Sequence, residues 1–253
     1  AVVLAIAGML YGASASVRAL NAHQTPSGLA VQLAWWAGRV PGLGWVVPQA
    51  PTQIAVHWHQ LRESAEFSAL PELQAQGAHT VERLQPLAAT QPQAATLGLT
   101  AAVRMPQLPP QTAELAQAVQ TQFDQATPAL LQLQMAEALA MYYARTQQWD
   151  NAQQWLQRGL QALPESAEQK AQTLANTARN VMPLRVALAA CIAGSDRLVP
   201  TGTQALAKGF DIAQLRQEYV FAWDKHLLLQ MPSAVPPCQA LGADYQRLLI
   251  TSD

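Results

Sequence analysis

Charged side chains are scarce in this chain of 253 residues. Lysine and arginine number 15 and aspartate and glutamate 16, so only 12% of the residues are charged and the net charge is −1. Soluble domains usually carry about twice that fraction of charge. No stretch is rich in lysine or arginine, and a basic surface is what holds a nucleic-acid backbone. We therefore expect no nucleic-acid partner.

Motifs for catalysis and metal binding are also lacking. The sequence contains no paired carboxylates, no nucleophile elbow, no phosphate-cradling glycine loop and no zinc-protease spacing. His57 and His59 are two residues apart, but their neighbours predict a helix, which points the two side chains about 200° apart. We therefore assign no catalytic residue, no cofactor and no metal ligand. This favours a binding role and leaves enzymatic activity open.

Cysteine occurs only twice, as Cys191 and Cys238, and never in a C-x-x-C motif. In an oxidising compartment the two can pair, and closing that loop stabilises the fold by about 4 kcal/mol. In the cytoplasm they remain two buried thiols. The sequence leaves both states open, and export from the cytoplasm favours the disulfide.

The first 17 residues carry no charge, and Arg18 is the first charged residue. As a helix, such a segment spans roughly 26 Å, close to the ~30 Å thickness of the hydrocarbon layer. A signal sequence opens with a basic region, which this segment lacks. A buried core helix is the remaining alternative. Residues 1–22 are therefore predicted to form a membrane-spanning or membrane-abutting helix.

Residues 23–60 are rich in tryptophan and proline and are predicted to connect that helix to the rest of the chain. Trp35, Trp36 and Trp45 stand beside prolines and glycines that break regular structure. Tryptophan is favoured at a membrane interface because its ring is amphipathic. The same residues fit a small aromatic core equally well.

Residues 61–253 alternate helix-length segments with prolines. Leu115, Val119 and Phe123 recur every four residues and so define one face of a helix. Pro183 is predicted to interrupt a helix that Ser166 begins. Because strand-like alternation never extends beyond a few positions, the predicted fold class is all-α, built of antiparallel helical hairpins.

Residues 133–164 predict two helices joined by a turn at Gln147-Gln148. The pattern consists of Leu139-Ala140-x-x-Tyr143, Ala152-x-x-x-Leu156, Gly159 and Pro164. This pattern resembles one tetratricopeptide repeat, in which small residues let two helices approach closely. Ala136 and Leu156 stand where the family has large aromatic residues. The resemblance implies a tetratricopeptide-like superhelical array over residues 61–253, although the pattern does not recur about 34 residues away.

The same resemblance implies a binding groove. In such arrays the first helices of the repeats line a concave surface that docks a protein partner. The positions of this chain that match it are Gln134, Glu137, Met141, Ala144 and Arg145. The alternative interpretation is a solvated helix face.

Three functional hypotheses follow. In the first, the chain is a binding or scaffolding module, tethered to a bacterial inner membrane and displayed in the periplasm, where it docks a protein partner in an envelope complex. In the second, the chain is the C-terminal periplasmic part of a polytopic membrane glycosyltransferase. Its layout is similar to that of the O-antigen ligase and O-oligosaccharyltransferase families, though no catalytic motif carries over. In the third, it is a soluble cytoplasmic helical adaptor with free thiols.

Overall fold

The computed structural model describes residues 2–21, 27–40, 43, 47–126, 129–161, 169–209, 215, 221–232 and 234–250. All regular structure in these ranges is helical, which confirms the predicted fold class. Two 3-10 turns span Gln85–Leu87 and Phe123–Gln125. The α-helices are α1 (Val2–Asn21), α2 (Gly28–Ala37), α3 (Gln49–Phe67), α4 (Leu70–Leu84), α5 (Pro92–Val103), α6 (Thr112–Gln122), α7 (Ala129–Arg145), α8 (Trp149–Gln161), α9 (Gln169–Ile192), α10 (Val199–Lys208), α11 (Phe221–Leu228) and α12 (Pro236–Ile250).

The helices pack in a regular order. From α1 to α10, each helix packs against the next one in the chain. The odd-numbered helices α1, α3, α5, α7 and α9 also pack against one another in succession and so form one layer. Stacked helical hairpins produce this pattern of neighbours, because each hairpin buries its apolar face only against the hairpins beside it.

The α7–α8 hairpin has the predicted turn. Gln147 takes a φ of 59°, a left-handed conformation that reverses the chain, and the carbonyl of Gln148 accepts the first N–H bond of α8, from Ala152. A Cβ added at Gly159 would lie 2.6 Å from Cε of Met182, so this glycine lets α9 pack closely on the hairpin. Pro164 and Ser166, which were predicted to end and begin helices, lie outside the described residues.

The prediction that Pro183 interrupts a helix is wrong, because α9 continues through it from Gln169 to Ile192. Proline inside a helix costs about 3 kcal/mol. Burial of a large apolar side chain contributes about 1.5–3 kcal/mol, and Val181, Met182 and Leu184 are all fully buried around this proline. Packing of the apolar segment therefore outweighs the local cost.

The α1–α2 pair packs through small side chains. A Cβ at Gly12 would lie 2.4 Å from Cβ of Leu33 and 2.9 Å from the carbonyl oxygen of Ala30, so the backbones of α1 and α2 are in near contact. A separate small core, made of Ala13, Ala34, Ala37 and Val47, joins the two helices. Residues 23–60, which were predicted to form a connector, contain α2 and most of α3, and the predicted boundary at residue 61 falls inside α3.

The C-terminal helices do not extend the array. Helix α11 packs on α3 and α9, so it lies across the odd-numbered layer. Nζ of Lys225 donates to the carbonyl of Glu66 at 3.0 Å, and Nε2 of His226 lies 3.3 Å from the carbonyl oxygen of Ala65. Helix α12 packs on α9 and α10, and a disulfide joins Cys191 in α9 to Cys238 in α12. Helix α11 thereby joins the late part of the chain to α3.

The close approach of α1 and α2 generates a prediction. Gly12→Ala should lower the free energy of unfolding, because its methyl group meets the backbone of α2 and both helices must shift. Gly8→Ala is the matched control, since a Cβ at Gly8 meets nothing within 4 Å. It should be neutral or stabilise α1 by up to about 1 kcal/mol. Urea unfolding in detergent micelles, followed by tryptophan fluorescence, measures both; equal effects of the two variants would contradict the packing.

Candidate functional site

Glu137 in α7 is buried and held by two arginines. Its Oε1 accepts a hydrogen bond from Nη2 of Arg104 at 2.8 Å, and its Oε2 accepts one from Nη1 of Arg185 at 3.2 Å. Burial by itself raises the pKa of the Glu137 carboxyl, but the charges of Arg185 and Arg104 outweigh burial and hold that pKa below its ordinary value. Glu137 is therefore ionised inside the protein.

Arg185 also connects Glu137 to the C-terminal helices. Nε of Arg185 lies 3.1 and 2.8 Å from the two carboxylate oxygens of Asp224 in α11, and the hydroxyl of Tyr245 in α12 donates to Asp224 at 2.9 Å. Two arginines and two carboxylates balance in charge, and all these side chains are buried. We call Arg104, Glu137, Arg185, Asp224 and Tyr245 the buried ion network. It joins the end of α5 to α7, α9, α11 and α12.

The structure buries most of the residues that were predicted to line a partner groove. Gln134, Glu137, Met141, Ala144 and Arg145 do lie on α7, but their face is not open to solvent. Glu137, Met141 and Ala144 are buried and Gln134 is half-buried. The physical reason is that other parts of the same chain pack on α7; Arg185 of α9, for example, donates to Oε2 of Glu137 at 3.2 Å.

Arg145 also acts within the fold. Its guanidinium donates hydrogen bonds of 2.7–2.9 Å to three backbone carbonyls at and after the end of α5, those of Val103, Met105 and Pro106. The last carbonyls of a helix have no partner in the helix itself, so this side chain caps α5 from a distance. Burial lowers the pKa of Arg145 to about 10, and the side chain remains charged at neutral pH.

An open polar cleft lies elsewhere, between α2, α3 and α4. Its volume is about 650 Å³, within the range of small-ligand sites. Buried His57 lies at its floor, whereas the other ionisable side chains around it are exposed and form a rim. We call it the α2–α4 cleft; its ionisable residues are Arg39, His57, His79, Glu82 and Arg83.

His57 has an unusual environment. Its ring lies 5.5 Å from the ring of His79, centroid to centroid. Burial, and then the charges of His79 and Arg83, lower the pKa of His57 to about 4, so the imidazole is neutral at pH 7. Its Nδ1 is buried and makes no hydrogen bond with any described residue. An unsatisfied buried polar atom is costly and suits a site that a ligand completes.

His59 faces away from this cleft, as the helical geometry predicts. It lies 3.1 Å from Glu63, one helical turn later in α3, and lines a smaller cleft of about 320 Å³ together with Trp36. Across the described ranges, no three His, Cys, Asp or Glu side chains are grouped as metal ligands would be. His57 and His59 therefore do not form a shared site.

No motif in the sequence marks Arg39, His79 or Arg83 as residues of a site. A usable signal was present in α4, because His79 and Arg83 are four residues apart and so lie on one helix face. Arg39 was harder to detect. Arg39 joins the lining of the cleft only when α2 is placed beside α3 and α4.

The buried ion network generates a stability prediction. Glu137→Ala removes the carboxylate partner of Arg104 and one carboxylate partner of Arg185, which leaves buried positive charge without compensation. Breaking such a pair typically costs 3–5 kcal/mol. Glu114→Ala is the control, because Glu114 is exposed and accepts only from Gln85; its effect should stay within about 0.5 kcal/mol. Urea unfolding measures both, and a loss below about 1 kcal/mol for Glu137→Ala would contradict the role of the network.

The pKa of His57 generates a pH prediction. In the unfolded chain His57 binds a proton near pH 6.5, but in the folded chain only near pH 4. On acidification, the unfolded state therefore binds a proton at His57 before the folded state does. As the pH falls from 6.5 to about 4, this difference lowers the free energy of unfolding. His57→Gln should lose less stability from pH 7 to pH 4.5 than the wild type does. Identical losses in the variant and the wild type would contradict the prediction.

Comparisons with protein-family models, with curated proteins and with solved structures give no significant match for this chain. The likeness of residues 133–164 to a tetratricopeptide repeat is therefore carried by the residues of α7 and α8 alone. Function has to be inferred from the geometry of the chain itself.

Proposed function

We propose that this chain is a membrane-tethered helical binding module, anchored by α1, whose folded part lies on the periplasmic side of a bacterial inner membrane and docks a protein partner. The observation that carries the proposal is the exposed apolar surface of α1 and α2. A second support is the disulfide between α9 and α12. A third is the packing of stacked hairpins, an architecture that commonly serves binding.

Helix α1 is apolar on its outer surface. Within the described ranges, Val3–Leu20 is the one helical stretch long and apolar enough to cross a bilayer, and only 22% of it is buried against the rest of the protein. Val3 and Leu4 are 79% and 77% exposed. A core helix would hide these side chains, whereas an anchor or a signal sequence places them in lipid.

Helix α2 adds aromatic residues to this surface. Leu29 is 70% exposed and Trp36 is 54% exposed, and the two tryptophan rings at positions 35 and 36 meet edge to face at 5.0 Å. The guanidinium of Arg39 lies 3.3 Å from the ring centroid of Trp35. Tryptophan and arginine together are favoured where hydrocarbon meets the polar headgroups. The end of α2 is therefore suited to the membrane surface.

The disulfide supports an oxidising compartment. Disulfides persist in the periplasm and outside the cell, and cytoplasmic reductants remove most of them in mesophiles. The bond between Cys191 and Cys238 closes a separation of 47 residues, which favours the periplasmic hypothesis over the cytoplasmic adaptor. Because Glu137, Met141 and Ala144 on α7 are buried, we assign docking to the open side of α4. Two clefts flank that side and share His79 and Glu82.

Membrane fractionation tests this proposal. The wild-type chain should sediment with membranes until detergent is added, and protease added to intact spheroplasts should digest it from outside. Gly8→Arg places a charge in the middle of α1, at a position where an added Cβ meets nothing within 4 Å. Insertion there becomes about 2.5–3.5 kcal/mol less favourable, so the variant should shift protein to the soluble fraction. Gly8→Ala should behave as the wild type. A soluble wild-type chain, or one protected in spheroplasts, would contradict the proposal.

A further inference from the structure

The rim of the α2–α4 cleft carries two arginines, Arg39 and Arg83. Among the residues that the structure describes, neither Arg39 nor Arg83 forms an ion pair with an acidic side chain, and both are exposed at the cleft. Glu82 is the single acidic residue of the lining. With two arginines and one glutamate, the cleft has a net positive charge, which can attract an anion.

We propose that the α2–α4 cleft binds a phosphate group, with Arg39 and Arg83 as its charged ligands and His57 as a neutral donor at the floor. Arginine suits this role because its planar guanidinium offers several N–H donors in a fork that matches phosphate oxygens. Two such residues from different elements, the turn after α2 and helix α4, can approach one phosphate from two sides.

Arg39 is held in place for this role by Trp35. The guanidinium lies 3.3 Å from the ring centroid, so one face of its plane is covered by the aromatic ring. Stacking of this kind restrains the side chain and leaves the N–H groups at the edge of the plane free to bind. An arginine fixed before binding loses less conformational entropy when the anion arrives.

His57 provides the second observation that points to a ligand. His57 is buried, with 9% of the residue exposed, yet its Nδ1 makes no hydrogen bond with any residue that the structure describes. Because the pKa is about 4, the imidazole is neutral at pH 7 and carries one N–H. A bound anion beside it would favour the protonated form and raise this pKa, which makes His57 a spectroscopic reporter of occupancy.

Two sources supply a phosphate to this position. One is a soluble phosphate or pyrophosphate compound, and the other is the headgroup of an anionic phospholipid. The lipid source rests on the proposed function, since it requires that α1 and the end of α2 hold the cleft at the membrane surface. The cleft shares Trp35 with the exposed apolar surface of α2, so its mouth lies beside the predicted interface.

The test uses the full chain in uncharged detergent micelles and titrates it with inorganic pyrophosphate, with acetate as a comparison anion. Arg39→Gln and Arg83→Gln should each weaken pyrophosphate binding about tenfold or more, since each removes a charge-assisted contact. Glu82→Gln should strengthen it. Arg62→Gln is the matched control, because it removes one positive charge from α3 outside the cleft lining. A thermal unfolding curve like that of the wild type verifies that each variant is folded.

Histidine NMR gives the second readout. Saturating pyrophosphate should raise the pKa of His57 above its value of about 4, and the shift should shrink in Arg83→Gln. Binding that is equally strong for acetate, or equal in Arg62→Gln and Arg83→Gln, would overturn the phosphate site.

Vesicle binding distinguishes the two sources. Phosphatidylglycerol and phosphatidylcholine vesicles are compared, with the same four variants in each. If the binding of phosphatidylglycerol depends on Arg39 and Arg83 and pyrophosphate does not bind, the result supports a site for a lipid headgroup. If the binding of pyrophosphate depends on these two arginines, the result supports a site for a soluble phosphate. No arginine-dependent binding to either overturns it. Membrane fractionation of Arg83→Gln, a change in α4 away from α1 and α2, should remain as in the wild type, so a failure of the cleft is distinct from a failure of the anchor.

Discussion

The arrangement of the helices depends on one buried ion network, which joins the end of α5 to α7, α9, α11 and α12. Charge is rare in this chain, yet two arginines and two carboxylates are placed where no water reaches them. Each buried charge is tolerable only because its partner is present. Glu137 is the centre of this balance, since it accepts from both Arg104 and Arg185. Removing one member leaves the others with a desolvation cost that nothing offsets.

This network also gives the stacked hairpins a definite arrangement. Apolar packing between alanine-rich helices is tolerant of sliding, because many small side chains fit in several registers. Asp224 must meet Arg185, and Tyr245 must meet Asp224. These directional contacts set how α11 and α12 lie on α9. The disulfide between Cys191 and Cys238 adds a covalent restraint to the same region.

Local structure was predictable from the sequence wherever neighbouring residues determine it. The α7–α8 turn at Gln147-Gln148 and the buried face of Leu115, Val119 and Phe123 followed from turn chemistry and helical period. The path of α9 through Pro183 did not, because its buried surroundings come from other helices. Local propensity is a weak guide when burial on all sides opposes it.

Sites were harder to predict for the same reason. Glu137 looks like a surface residue on a helical wheel, and its partners Arg104 and Arg185 are 33 and 48 residues away in the sequence. The α2–α4 cleft gathers Arg39, His57 and Arg83 from three different elements. Only the order in which the helices pack brings such residues together, and no short motif encodes that order.

The contacts of α11 with α3 change how the whole chain behaves when it unfolds. Lys225 and Glu66 are 159 residues apart in sequence, yet their atoms meet. An open array of hairpins gains stability repeat by repeat and can fray from either end, since each unit touches only its neighbours. Here a late helix closes the array onto an early one, so folding must wait for a distant contact and pay its loop-closure entropy. Removing α11 would therefore also remove contacts of α3, so the hairpins between these two helices are stabilised together rather than one at a time.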